Sequence, residues 1–162
     1  MMLREVIEGV FPQAFSLLPM RLDSLEARLE LLTIGRQESR FIYRRQIGGP
    51  ARSFWQMEEG GGVRGVLMHP TTTALIREVC AARQVQCNVP AVYRAIENDD
   101  VLACCMARLL LWTDAKPLPA FDDVDGSWDY YVRNWRPGKP HRETWAGFHA
   151  EARTALGVDN AD

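Results

Sequence analysis

Apolar residues in this chain recur mostly at helical spacing. Between Asp23 and Ser39, Leu25, Leu29 and Leu32 form one series, and Ala27, Leu31 and Ile34 a second beside it. A helix with an apolar face is therefore predicted there. Its start is marked too: Asp23 or Ser24 supplies the cap, and Asp23 with Glu26 has capping-box spacing. Upstream, a short apolar segment from Val6 to Leu18 closes at Pro19. Downstream, Pro70 opens a helix through Thr71, Thr72 and Thr73 to about Gln86, since proline is tolerated in a first turn. Pro90 opens a short one to Glu97. Asn98 or Asp99 caps the next, Val101 to Trp112, whose near-continuous apolar character marks a central buried helix. Trp128 to Trp135 and Thr144 to Leu156 read as two more, separated by the breaker Arg136-Pro137-Gly138-Lys139-Pro140. Gly48-Gly49-Pro50 and Gly60-Gly61-Gly62 bracket an irregular stretch, the one place left for a small β hairpin. The pattern predicts an all-α fold. No repeat, low-complexity tract or linker divides residues 1–162, so one domain is expected.

Composition narrows the classes. A chain of 162 residues buries a core without disulfides or a metal. The formal net charge of −2 argues against a dedicated nucleic-acid binder. No stretch of about eighteen apolar residues occurs, so no membrane span is expected. Glu5, Glu8 and Pro12 interrupt the N-terminal apolar stretch, so no signal peptide is expected there, and synthesis in a reducing bacterial cytoplasm is expected. The four cysteines, Cys80, Cys87, Cys104 and Cys105, show no C-x-x-C pairing and no histidines at zinc spacing. They read as small core residues, and neither metal nor organic cofactor is expected. His69, His141 and His149 make no triad with Ser39 or Cys104.

Glu38 changes the picture. Ile34, Leu31 and Ala27 lie one, two and three turns behind it on the same stripe. A carboxyl at the core side of a helix C-terminus is raised in pKa by desolvation and by the helix dipole. Kept protonated near neutral pH, it is a general acid. The plainer alternative is a carboxylate paired with Arg40 or Arg44, and Arg36 or Arg45 in direct contact would equally oppose the shift.

Arg36-Gln37-Glu38-Ser39, followed by Gly49-Pro50-Ala51-Arg52-Ser53-Phe54-Trp55-Gln56, resembles the signature of lysozyme-like lytic transglycosylases. There a Glu-Ser pair ends a helix and a Gly-Ala-x-Gly-Leu-x-Gln loop follows at similar distance. The chain is also similar to small lysozyme-like proteins of tailed bacteriophages. The resemblance covers about Leu31 to Glu59 closely. It implies a lysozyme-like domain acting on peptidoglycan glycan strands, with Glu38 as catalytic acid and base. Ser39 would be its orienting neighbour and Gln56 a substrate-cleft residue. Ser53 departs from a family glycine, and Phe54-Trp55 from an aliphatic pair. The family's Tyr-Asn-Ala-Gly motif has no clean copy; Asn134, followed by Gly138, is the nearest candidate for that substrate-binding position. Trp55 reads either as a sugar-stacking platform or as a core anchor. Trp112, Trp128, Trp135 and Trp145 read as core.

Hydrolytic glycosidases usually flank the bond with two carboxyls. A transglycosylase manages with one, which the resemblance suggests here. Glu58 or Glu59 as a second carboxyl would make the protein a lysozyme instead. Without a leader, the expected routes to the wall are phage lysis or incorporation in a virion. The competing expectation is a non-enzymatic virion component that keeps the fold without the activity.

Overall fold

The computed structural model describes residues 1–158, and the chain is mostly helical and all-α in class. Helix α1 (Leu3–Glu5), a wider-wound π stretch (Val6–Val10) and α2 (Phe11–Ser16) run on as one N-terminal rod. Pro12 sits in the first turn of α2 and has no N–H to give back, which the widened turn before it accommodates. Val6, Val10, Phe11, Ala14 and Phe15 form its buried face.

Helix α3 (Leu25–Ser39) is capped by Ser24, whose hydroxyl accepts from the Ala27 amide at 3.1 Å. Asp23 instead pairs with Arg28 at 2.8 Å. Past the first turns α3 is buried nearly all round, because it packs most extensively on α9 (Arg142–Ala155) and also on α7 (Asp100–Trp112) and α8 (Val124–Trp135). The central helix is α7: Asp99 caps it through the Leu102 amide at 3.0 Å, and residues 101–111 are all buried. Among them is Arg108, whose Nε donates to the Leu22 carbonyl at 2.7 Å.

Helix α8 starts earlier than the Trp128 expected, because Asp123 caps the Gly126 amide at 2.9 Å. Helix α5 (Thr73–Ala82) is shorter than the predicted Pro70–Gln86. Before it, the Thr72 hydroxyl turns inward to the Val66 carbonyl; after it, Gln84 takes a left-handed φ of 57°. Helix α6 (Val89–Ala95) is capped by Asn88, with Pro90 in its first turn. Helix α4 (Arg64–Met68) follows the second glycine cluster, where the pattern predicted no element, and buries Val66 and Leu67. Across and just after the first glycine cluster, two isolated antiparallel bridges, Arg45 to Arg52 and Arg52 to Met57, are all that forms of a β element among the described residues.

One hydrophobic cluster runs from Val6 to Ala152 and includes residues of every long helix. Three of the four cysteines belong to it. Cys87 does not: it is exposed, which corrects its reading as a core residue. No helix among the described residues is long and apolar enough to cross a membrane.

Candidate active site

The end of α3 is built around a glycine. A Cβ at Gly35 would fall 2.1 Å from the Phe41 ring, so only hydrogen there lets that ring fold back on the helix. Arg40 and Phe41 make the reversal with left-handed φ values of 59° and 55°. Such values strain non-glycine residues. Ser39 fastens the turn. Its hydroxyl donates to the Phe54 carbonyl at 2.6 Å, lies 3.2 Å from the Gly35 carbonyl, and accepts from the Phe41 amide at 3.1 Å. Buried to 2% exposure with its hydrogen bonds used, Ser39 is a tie between helix and loop and not a substrate-binding group. The resemblance implied a group that orients Glu38; what Ser39 fastens is the turn that follows Glu38.

One residue earlier, Glu38 is half-buried and lines a cavity of about 900 Å³. Burial pushes its carboxyl up to about 7, while a hydrogen bond from the Tyr131 hydroxyl to Oε1 (2.5 Å) pulls the other way. The four nearby arginines are engaged elsewhere. Arg36 pairs with Glu151 at 2.9 Å, Arg44 with Asp100 and Arg45 with Glu97, both at 2.5 Å. Arg40 donates to the Arg36 carbonyl at 2.8 Å and lies 4.3 Å from the Phe148 ring centre. The salt-bridged alternative for Glu38 is therefore absent from the described residues, and burial sets its chemistry.

Gln56 lines the same cavity from the loop, with a left-handed φ of 52° and its amide nitrogen held by the Ser53 carbonyl at 2.8 Å. Asn134 lines it from α8, its nitrogen donating to Asp114 (2.8 Å) and to the Tyr130 carbonyl (2.9 Å). Glu58 reaches the cavity; Glu59 is not among its lining residues. Trp55 is fully buried, donates its indole N–H to the Leu31 carbonyl at 2.9 Å and meets Phe41 edge-on at 5.6 Å. It anchors the loop to α3 from inside the core, and its reading as a stacking platform is corrected.

Helix α8 brings Tyr131, which drew no reading from sequence, and Trp135, which was read as core, to the cavity. Tyr131 stacks on Trp145 at 4.7 Å, a neighbour that holds its hydroxyl toward Glu38. Burial first, then the Glu38 carboxyl, push the Tyr131 phenol well above its ordinary range, so it stays a donor. Trp135 is half-buried against the cavity and donates to the Trp55 carbonyl at 2.8 Å. Trp128, Tyr131 and Trp135 are spaced i, i+3 and i+7. With Asn134 already in view, that spacing marked the helix face that carries both residues.

Backbone strain gathers here as well. Of the non-glycine residues with positive φ, Gln56 and Arg136 line the cavity, Arg40 and Phe41 form the turn directly after Glu38, Ser53 lies in the loop that carries Gln56, and Gln84 stands apart. Strained conformations persist where surrounding structure over-determines them, and functional sites are where they cluster. Among the described residues, no group of three or more His, Cys, Asp and Glu is placed to hold a metal ion. Compared with known proteins, the chain matches no protein-family model, no curated protein and no solved structure.

Proposed function

We propose that the protein is a lysozyme-like glycosidase that cleaves peptidoglycan glycan strands, with Glu38 as its general acid. One observation carries this reading: a carboxyl held near pKa 7 opens into a cavity large enough for sugar rings and is hydrogen-bonded there by Tyr131. The neutral Glu38 protonates the glycosidic oxygen, and the bond to the anomeric carbon breaks as the leaving sugar departs as an alcohol. The Glu38 carboxylate left behind then takes the proton of the sugar's own 6-hydroxyl. That oxygen closes on the anomeric carbon, giving an anhydro end and restoring the acid. Tyr131 steadies the carboxylate between the two steps, and Gln56 and Asn134 hold the glycan.

Glu58 supports a second outcome, because it lines the same cavity. As a general base it would activate water, and the products would carry reducing ends. Action on the wall as a phage lysis protein or as a virion component suits either outcome. A virion component without activity is the competing reading. Digestion of purified peptidoglycan, followed by mass spectrometry of the products, separates all three. Anhydro-muramic ends support the single-acid route, reducing ends support Glu58, and intact glycan overturns the enzyme.

A further inference from the structure

The charged groups that line the cavity are unevenly matched. Arg133 is paired with Asp114 at 2.7 Å, and the His141 ring meets Glu143 at 3.0 Å. Arg136 and Lys139 line the cavity too, from the loop that joins α8 to α9, and both are exposed. Among the described residues, neither side chain has an ion-pair or hydrogen-bond partner. In a chain of net charge −2, two cations three residues apart with no acid to answer them are a local excess. The lining carboxyls, Glu38 and Glu58, lie elsewhere, on α3 and just past Gln56. An anion entering the cavity therefore meets unpaired cations only along the α8–α9 loop.

That loop is fastened at both ends. At its start the Arg136 amide closes on the Val132 carbonyl at 2.9 Å, with Arg136 itself at a left-handed φ of 50°. Such a position favours glycine, so a long cationic side chain is held there against a backbone cost. At its far end Gln37, the neighbour of Glu38, donates to the His141 carbonyl at 3.0 Å and accepts from the Thr144 hydroxyl at 2.9 Å. Between them Pro137 and Pro140 each fix a backbone angle. The two cations thus stand on a short, braced segment tied directly to the end of α3.

We propose that Arg136 and Lys139 form an anion subsite that selects carboxylate-bearing glycan over neutral glycan. The subsite deepens, and rests on, the glycan-cleaving reading of the same cavity. Neither residue belongs to the Leu31–Glu59 stretch that carries the resemblance. A wall glycan bears a lactyl carboxyl on its alternate sugars, either free or joined to a stem peptide with carboxylates of its own; a chitin-type glycan bears neither. Arg136 offers a planar fork that matches a carboxylate, and Lys139 a compact charge beside it. Both are open to water, so their contribution is modest in size and weakened by salt.

The test measures binding of three tetrasaccharides to the full chain by calorimetry: chitotetraose, wall glycan stripped of its peptides, and wall glycan with stem peptides. At least one carboxylate-bearing probe should bind roughly tenfold more tightly than chitotetraose at low salt, and the preference should shrink as salt is added. Stripped glycan that matches the stem-bearing probe assigns the anion to the lactyl group; weaker stripped glycan assigns it to the peptide. Arg136→Gln with Lys139→Gln should erase the preference and leave chitotetraose affinity within about twofold. Arg77→Gln with Arg94→Gln, an equal charge loss at exposed positions outside the cavity lining, should keep it. Equal affinity for all three probes, no binding of any, or a preference that survives loss of Arg136 and Lys139 would overturn the subsite. Digestion of peptidoglycan is scored separately. Unselective binding with cleavage intact overturns the subsite alone, and selective binding without cleavage overturns the glycosidase alone.

Discussion

Helix α3 carries two buried glutamates with different surroundings. Glu30 is 2% exposed and held at Oε2 by the Ser127 hydroxyl at 2.6 Å, while its Oε1 has no hydrogen-bond partner among the described residues. Burial pushes it up to about 8. Glu38, two turns further on, is pushed to about 7, accepts from Tyr131 and borders the cavity. Both are acids that hold a proton near neutral pH. Only Glu38 has somewhere to deliver it. Burial therefore supplies the protonation state of both, and in the proposed glycosidase access would supply the use of one. Glu30 fastens α3 to α8 through Ser127; nothing in the structure explains why a carboxyl, and not an amide, fills that place.

The largest effect that tests this contrast is on rate. Glu38→Gln should reduce wall cleavage by about a hundred- to ten-thousand-fold, the usual contribution of a positioned proton donor, when digestion of purified peptidoglycan is followed over time. In the unmodified protein, kcat/KM should fall as pH rises through about 7, where the free acid is lost. A rate that is flat from pH 6 to 9 would remove Glu38 from the proton-donating role.

The next effect is on stability. Both carboxyls titrate above the ordinary value of 4.5, so the folded chain holds these protons more tightly than the unfolded one. Their stabilising contributions are therefore full below about 4.5 and are lost as pH rises, through about 7 for Glu38 and about 8 for Glu30. Glu30→Gln should flatten that decline by up to about 5 kcal/mol in denaturant titrations, and should leave the glycan cleavage rate within about twofold. Loss of cleavage in a stably folded Glu30→Gln protein would erase the distinction between the two residues.

Smaller again is Tyr131→Phe, which keeps the stack on Trp145 and deletes the donor. Because that hydrogen bond lowers the Glu38 value, its loss should move the alkaline limb of the pH–rate profile upward and slow turnover by about tenfold. Smallest is Ser39→Ala. It removes the tie to the Phe54 carbonyl and should cost about 1 to 2 kcal/mol of stability in the same titrations, with only a few-fold change in rate.

How far these features could be read from the sequence follows from the range of the interactions involved. The Leu25–Ile34 periodicity, the Ser24 and Asp99 caps and the apolar run of α7 are local signals, and the fold class followed from them. The lower bound of α8 was missed because Asp123 is one acid in an acidic run, and nothing local marks it as the cap. Glu38 was legible through its stripe. Its partner was not, because Tyr131 approaches from a helix far along the chain, and only the packing of α8 and α9 on α3 brings the hydroxyl to the carboxyl. Trp55 was open between two roles for the same reason, since the carbonyl that captures its N–H belongs to Leu31 on another element. Glu30 falls among leucines but reads as an outer-face charge until α8 covers it.

The indole of Trp135 has an optical consequence. Its N–H is fixed on the Trp55 carbonyl and its ring borders the cavity, whereas Trp55, Trp128 and Trp145 are sealed in the core. Trp112, the remaining indole, lies outside the cavity lining and is stacked against the arginines of α7 and the segment before α3. Intrinsic fluorescence therefore has one emitter whose solvent shell a cavity occupant would displace. A blue shift on titration with soluble glycan fragments, absent in Trp135→Phe, would make the protein its own binding sensor, readable without a label and before any bond is cut.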